Sequence, residues 1–130
     1  MASATQTALI LVVDDEEHAR EGLSKILTRE GYEVETAANG REAIDLIKRQ
    51  NFDLVITDMR MPLVDGFEVL REIKKMDDSV GVIMITAYGE VESYLEAMNL
   101  GAFEYINKPV RVNELKRVIT KVLEDRRKKA

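Results

Sequence analysis

The sequence predicts an α/β fold: a doubly wound, parallel five-stranded sheet built as (βα)5, with strand order 2-1-3-4-5. Three observations carry that expectation. Strand-like runs alternate with stretches of helical periodicity along the whole chain, and no linker interrupts them. The runs at residues 9–13, 53–57 and 80–85 are mostly apolar, as strands covered on both faces are. The run at residues 32–36 instead alternates Tyr32, Val34 and Thr36 with Glu33 and Glu35, which suits an edge strand with one wet face.

In chain order, the first strand ends in Asp14-Asp15-Glu16-Glu17. Ala19, Leu23, Ile26 and Leu27 then recur at helical spacing until Gly31 stops the helix. After the edge strand, Asn39-Gly40 reads as a turn, and Ala43, Ile44 and Ile47 mark the inner side of a second helix. The third strand runs into Asp58 and Pro62. Asp65-Gly66 starts a third helix with a stripe of Val69, Leu70, Ile73 and Met76. The fourth strand ends at Thr86. Its helix carries Val91, Leu95 and Met98 with Tyr94 beside them, and stops near Gly101. A fifth strand at 103–106 ends in Asn107-Lys108-Pro109, and Leu115, Val118, Ile119 and Val122 line the last helix.

At 130 residues and 45% hydrophobic content, the chain suits one domain with one proper core. No apolar run approaches the roughly 20 residues of a membrane-spanning helix. Residues 1–8 lack the basic start of a secretory signal and read as a loose tail. The absence of cysteine excludes disulfides and thiolate metal sites and fits a cytoplasmic protein. Charge is uneven: residues 111–130 hold eight Lys/Arg against three Asp/Glu, within a chain of net charge −5. The plain reading is a solvated basic helix face, and direct nucleic-acid contact by this chain is not expected.

In open parallel sheets, ligands bind beyond the carboxyl ends of the strands where strand order reverses. At those ends stand Asp14 and Asp15 on the first strand, Asp58 on the third, Thr86 on the fourth and Lys108 on the fifth. Singly, each has an ordinary explanation: a helix N-terminus favoured by the dipole, a turn cap, a β-branched strand residue, a surface charge. Together they make a coherent chemistry. Clustered carboxylates repel unless a cation sits among them. Oxygen-only ligands select a hard cation, of which Mg²⁺ also draws in phosphoryl oxygens. Lys108 offers a compact positive charge to the same oxygens and Thr86 a hydrogen bond, while Asp58, on the central strand, is the candidate nucleophile toward phosphorus.

These residues resemble those of the receiver domains of two-component response regulators, whose sheet is flavodoxin-like. The resemblance spans residues 9–124. It rests on Val12-Val13-Asp14-Asp15-Glu16, on Thr57-Asp58-Met59-Arg60-Met61-Pro62 with Asp65-Gly66, on Thr86-Ala87 and on Lys108-Pro109. It implies a domain over residues 9–125, with a basic tail or cut linker at 126–130. It further implies that Asp58 is the phosphoacceptor, Asp15 a direct Mg²⁺ ligand and Asp14 a ligand through water, with the Arg60 carbonyl completing the metal site. Thr86 and Lys108 would bind the phosphoryl oxygens, and Tyr105 would be the switch aromatic that follows Thr86. The Lys108–Pro109 bond would be cis. Arg60 and Tyr88, two residues after Asp58 and Thr86, would overhang the phosphoryl group and slow its hydrolysis. His18, the only histidine, reads as a surface helix residue.

The partners so implied are a sensor histidine kinase or a histidine phosphotransfer protein and a downstream effector domain or protein. A phosphorylation-dependent homodimer belongs to the same expectation; a membrane does not. The domain would phosphorylate and dephosphorylate itself rather than turn over a substrate, switching a surface formed by the fourth helix, fifth strand and fifth helix. Two rivals differ in class. An aspartyl-nucleophile phosphatase wants an acid two residues after the nucleophile, where Arg60 stands. A flavin module wants a glycine- and hydroxyl-rich loop where the four acids stand. A third reading is a receiver fold used unphosphorylated as an interaction module.

Overall fold

The computed structural model describes residues 7–87 and 91–129, with side chains through residue 126. The elements follow as β1 (Leu9–Val13), α1 (Glu17–Arg29), β2 (Glu33–Ala37), α2 (Gly40–Arg49), β3 (Leu54–Asp58), α3 (Gly66–Met76), β4 (Gly81–Thr86), α4 (Val91–Asn99), β5 (Glu104–Asn107) and α5 (Val112–Lys129). The strands form one five-stranded sheet in the order β2-β1-β3-β4-β5, parallel at every pairing. Among the described residues, no helix is long and apolar enough to cross a membrane.

Side chains alternate across the strands, and the two sets build two core layers. Leu11, Val13, Val55, Val82 and Met84 face the side covered by Ala43 of α2, by Val69, Leu70 and Ile73 of α3, and by Ala97 of α4. Ile10, Val12, Leu54, Ile56, Ile83 and Ile85 face Leu27 of α1 and Leu115, Val118, Ile119 and Val122 of α5. Burying one such side chain contributes about 1.5–3 kcal/mol relative to leaving it exposed. That two-sided burial is why the central strands read as continuous apolar runs.

Local signals start and stop the helices. Glu16, Asn39 and Asp65 are the N-caps of α1, α2 and α3, each accepting from a backbone N–H three residues on. Asn39-Gly40, expected as a turn, thus opens α2 directly. Gly31 follows α1 at φ +97°, a left-handed conformation that glycine adopts without penalty. Leu63, between β3 and α3, adopts φ +68° and is fully exposed, a combination that costs about 1 kcal/mol or more in backbone strain.

Three helical stripes differ from expectation. In α2, Leu46 joins Ala43 and Ile47 at the core, and Ile44 belongs to neither layer. In α3, Met76 is 47% exposed because it lies in the last turn, past the stripe formed by Val69, Leu70 and Ile73. In α4, Val91 and Leu95 point to solvent, at 75% and 53% exposed, while Ala97 is buried and Met98 packs on the core. A nine-residue helix with apolar residues on several sides has two stripes that fit the same period. Here the small Ala97 faces in, and Tyr94 lays its ring edge-on to Tyr105, with centroids 5.6 Å apart. Two strands end one residue later than expected: β3 includes Asp58, which pairs with Ile85, and β5 includes Asn107, which pairs with Thr86.

Candidate functional site

The site lies at the carboxyl edge of the sheet, around β1, β3 and β5. Asp58 is the last residue of β3. The chain after it is folded tightly back: the Met59 N–H donates to the Ile85 carbonyl at 3.0 Å, and the Gly66 N–H donates to the Met59 carbonyl at 3.0 Å. Gly66 is required by that approach, since a Cβ there would stand 2.5 Å from the Asp58 carbonyl oxygen and 2.9 Å from Met59 Cα. The turn that presents Asp58 is therefore clamped by the start of α3.

Asp14 follows β1 immediately and is held at every polar atom. Its N–H donates to the Ala37 carbonyl at 3.2 Å, and its carbonyl accepts from Arg20 Nη1 at 2.8 Å. Its Oδ1 accepts from the Glu16 N–H at 2.9 Å and its Oδ2 from Lys108 Nζ at 3.4 Å. Asp15 is exposed, and its carboxylate has no hydrogen-bond partner among the described residues. Asp14, Asp15 and Asp58 each offer an oxygen to a group whose members all lie within 4.8 Å of one another. The four-acid run after β1 thus divides: two acids turn to the site, Glu16 caps α1 and Glu17 sits in its first turn.

Lys108 follows β5 and reaches back across the sheet edge. Its Nζ lies 3.3 Å from Asp58 Oδ2 and 3.4 Å from Asp14 Oδ2. Its backbone N–H donates to the Thr86 carbonyl at 2.7 Å, and the Lys108–Pro109 peptide bond is cis. Burial pushes the Asp58 carboxyl above its ordinary value; the nearby Lys108 charge opposes this, and the Asp14 carboxylate adds to it. Burial alone would lower Lys108, but the Asp58 and Asp14 carboxylates outweigh it and raise the ammonium above its ordinary value. An acid cluster that one lysine offsets only in part is a fit for a hard divalent cation. Its donors are all carboxylate oxygens, and that of Asp15 has no hydrogen-bond partner among the described residues.

The other residues expected at the site fall as follows. Thr86 is fully buried at the end of β4. Arg60 is exposed beside Asp58, and its N–H donates to Asp58 Oδ1 at 3.4 Å. Tyr105 is turned inward, 9% exposed, with its hydroxyl donating to Met59 Sδ at 3.7 Å. His18 is exposed on α1. Tyr88 lies outside the described residues. The sequence did not point to Arg20, Glu16 or Met59, whose contacts hold the site residues in place. The four-acid run was legible as a helix N-terminus but not Glu16 as its cap, and nothing local marks an arginine six residues after Asp14 as its partner.

Comparisons with known proteins agree with this geometry. A family profile described as the response regulator receiver domain matches residues 10–120. The chain is 39% identical over 114 residues to sporulation initiation phosphotransferase F of Bacillus subtilis, covering 88% of this chain and 92% of that protein. It is 40% identical over 115 residues to the regulatory protein AtoC of Escherichia coli, covering 88% of this chain but 25% of that longer protein. Among solved structures, the response regulator TrrA of Thermotoga maritima in complex with Mg(2+)-BeF superposes with a TM-score of 0.83 at 43% identity, covering 90% of this chain and 100% of that one. With the fold, the strand order and most of the chain's length in common, the protein belongs to the response regulator receiver domains of two-component systems.

Proposed function

We propose that the domain accepts a phosphoryl group on Asp58 from the phosphohistidine of a sensor histidine kinase or histidine phosphotransfer protein, in the cytoplasm. It then signals to an effector domain or protein rather than turning over a substrate. The observation that carries this reading is the position of Asp58 between two further acids and Lys108, within 4.8 Å of the former and 3.3 Å of the latter. An Asp58 carboxylate oxygen bonds to phosphorus as the donor's N–P bond breaks, and the electron pair stays on the imidazole nitrogen. Lys108 offsets the negative charge that arrives, and its present pairing with Asp58 is exchanged for the phosphoryl oxygens. Mg²⁺, held by Asp14, Asp15 and Asp58 with the Arg60 carbonyl, would supply further positive charge to those oxygens. The Thr86 hydroxyl turns to the phosphoryl group, and Tyr105 is the aromatic that responds on the face of α4, β5 and α5.

Beside Asp14 and Lys108 opens a hollow of about 260 Å³ lined by Leu23, Ile26, Pro109, Val110 and Leu115. Its apolar lining next to the acceptor suits a helix of the phosphodonor. The relative named a phosphotransferase and the neighbour holding Mg(2+)-BeF support the same chemistry by likeness.

Incubation with acetyl phosphate tests the reading. Phosphate should enter the wild-type protein only with Mg²⁺ present, and Asp58→Asn should take up none. No uptake by the wild type would leave an interaction module, and repeated turnover of a phosphomonoester would leave a phosphatase. Arg60, exposed beside the acceptor, and Tyr88 should slow hydrolysis by crowding the attacking water. A phosphoryl half-life that does not shorten in Arg60→Ala or Tyr88→Ala would refute that part alone.

A further inference from the structure

We infer that Arg20 is a positioning residue for the acid pair, acting through the peptide that joins Asp14 to Asp15. The inference rests on reading those acids as the Mg²⁺ ligands. The two are placed by different means. The Asp14 side chain is fixed at both oxygens, by the Glu16 N–H at 2.9 Å and Lys108 Nζ at 3.4 Å. The Asp15 side chain is exposed and touches no hydrogen-bonding group among the described residues. Its direction is therefore set by its backbone, at a point where the sheet ladder has ended and α1 has not begun.

Two bonds hold that backbone. The Asp14 N–H donates to the Ala37 carbonyl at 3.2 Å, which fixes the peptide before Asp14. The peptide after it, shared by Asp14 and Asp15, is held at its carbonyl by Arg20 Nη1 at 2.8 Å. Arg20 stands in the first turns of α1, anchored by its own N–H to the Glu16 carbonyl at 3.0 Å. A guanidinium on a helix is a rigid forked donor, suited to holding a carbonyl in one orientation. Rotation of this one peptide plane would swing the Asp15 carboxylate away from Asp14 and Asp58 without disturbing the core.

The electrostatics make the test sharp. Arg20 is a cation near a cation site, so as a mere surface charge its removal would strengthen Mg²⁺ binding. As a positioning residue, its removal weakens binding. Mg²⁺ affinity is measured by NMR titration of the wild type, Arg20→Ala, Arg20→Gln and Arg20→Lys. The expected result is a dissociation constant raised about tenfold in Arg20→Ala, the scale seen when a group behind a metal ligand is lost. Arg20→Lys, which keeps a donor, should recover most of the affinity. In Mg²⁺-free spectra the Asp15 amide nitrogen should shift, since it belongs to the released peptide, while core resonances stay. Arg20→Gln is neutral like Ala but keeps a shorter donor, and replaces Ala in the comparison if Ala does not fold. An affinity unchanged or increased in Arg20→Ala, or increased in Arg20→Gln, would overturn the inference. A wild-type protein that binds no Mg²⁺ would instead overturn the functional reading beneath it.

Discussion

Burial gives Asp58 its character. Its carboxyl is pushed above the ordinary value of 3.8 chiefly by desolvation, so the folded protein binds that proton more tightly than the unfolded chain does. The contribution of this group to stability is thus greatest at acid pH. It is lost as pH rises from 3.8 through the raised folded value. Asp58→Asn removes the penalty, so in Mg²⁺-free buffer the variant should unfold at higher urea than the wild type at pH 7. The gap should close as pH falls toward 4. A gap that does not change with pH would mean that burial of charge is not its source. Lys108 behaves in the opposite sense: its folded value is raised, so its pairing with Asp58 and Asp14 stabilises throughout the neutral range and is lost only as strongly alkaline pH deprotonates it. The acids and the lysine were legible because each follows an apolar run. Arg20 was not, because a hydrogen bond from a side chain to a backbone carbonyl leaves no trace in composition or period.

The element that matters most to the site is the return from β3 to α3. Gly66 caps it from within, against the Asp58 carbonyl and Met59 Cα. Gly66→Ala should destabilise the domain by about 1–3 kcal/mol, the usual penalty of overpacking, and should lower phosphoryl uptake because the displaced atoms belong to Asp58, the proposed acceptor, and to Met59 beside it. Chemical denaturation and acetyl phosphate labelling measure the two effects; a stable variant that still labels normally would show that the clamp is slack. Met59, in the same return, meets the Tyr105 hydroxyl in a buried contact, so the element that carries Asp58 also touches the inward-turned Tyr105. In α4 the periodicity admitted two inner stripes, and the edge-on contact between Tyr94 and Tyr105 belongs to only one of them. Val91 and Leu95 are consequently exposed beside Tyr94, on the face expected to contact partners.

Across the whole molecule, three acids gathered at one edge should make the fold's stability sensitive to divalent cations. On the proposed reading, Mg²⁺ would bind the folded site and not the dispersed acids of the unfolded chain. At 100 times its dissociation constant it should add about 2.7 kcal/mol to stability. The thermal midpoint should rise with Mg²⁺ and saturate, and Asp15→Asn should lose most of the rise. An equal rise in the variant would show that the cation acts elsewhere. The opposite edge of the sheet is tied by Arg126, which pairs with Asp53 and lies 3.5 Å from Asp77. A basic run at the chain end reads locally as a tail, yet α5 continues through it to Lys129. Partners distant in sequence turned one of its charges into a contact with the body of the domain.

The (βα)5 order, the 2-1-3-4-5 sheet and the set of residues at its carboxyl edge were legible before any contact was known. Apolar runs and helical periods are local properties, and each run ended in a polar residue of identifiable chemistry. How close those residues stand, that Lys108 bridges Asp14 and Asp58, and that the Asp15 carboxylate has no tether among the described residues all came from the tertiary arrangement. It also decided which stripe of α4 turns inward and which arginines reach back to the sheet. The physical reason is the same in each case. A period fixes the direction of a side chain relative to its own element, but the partner it meets is set by how elements far apart in the chain are brought together.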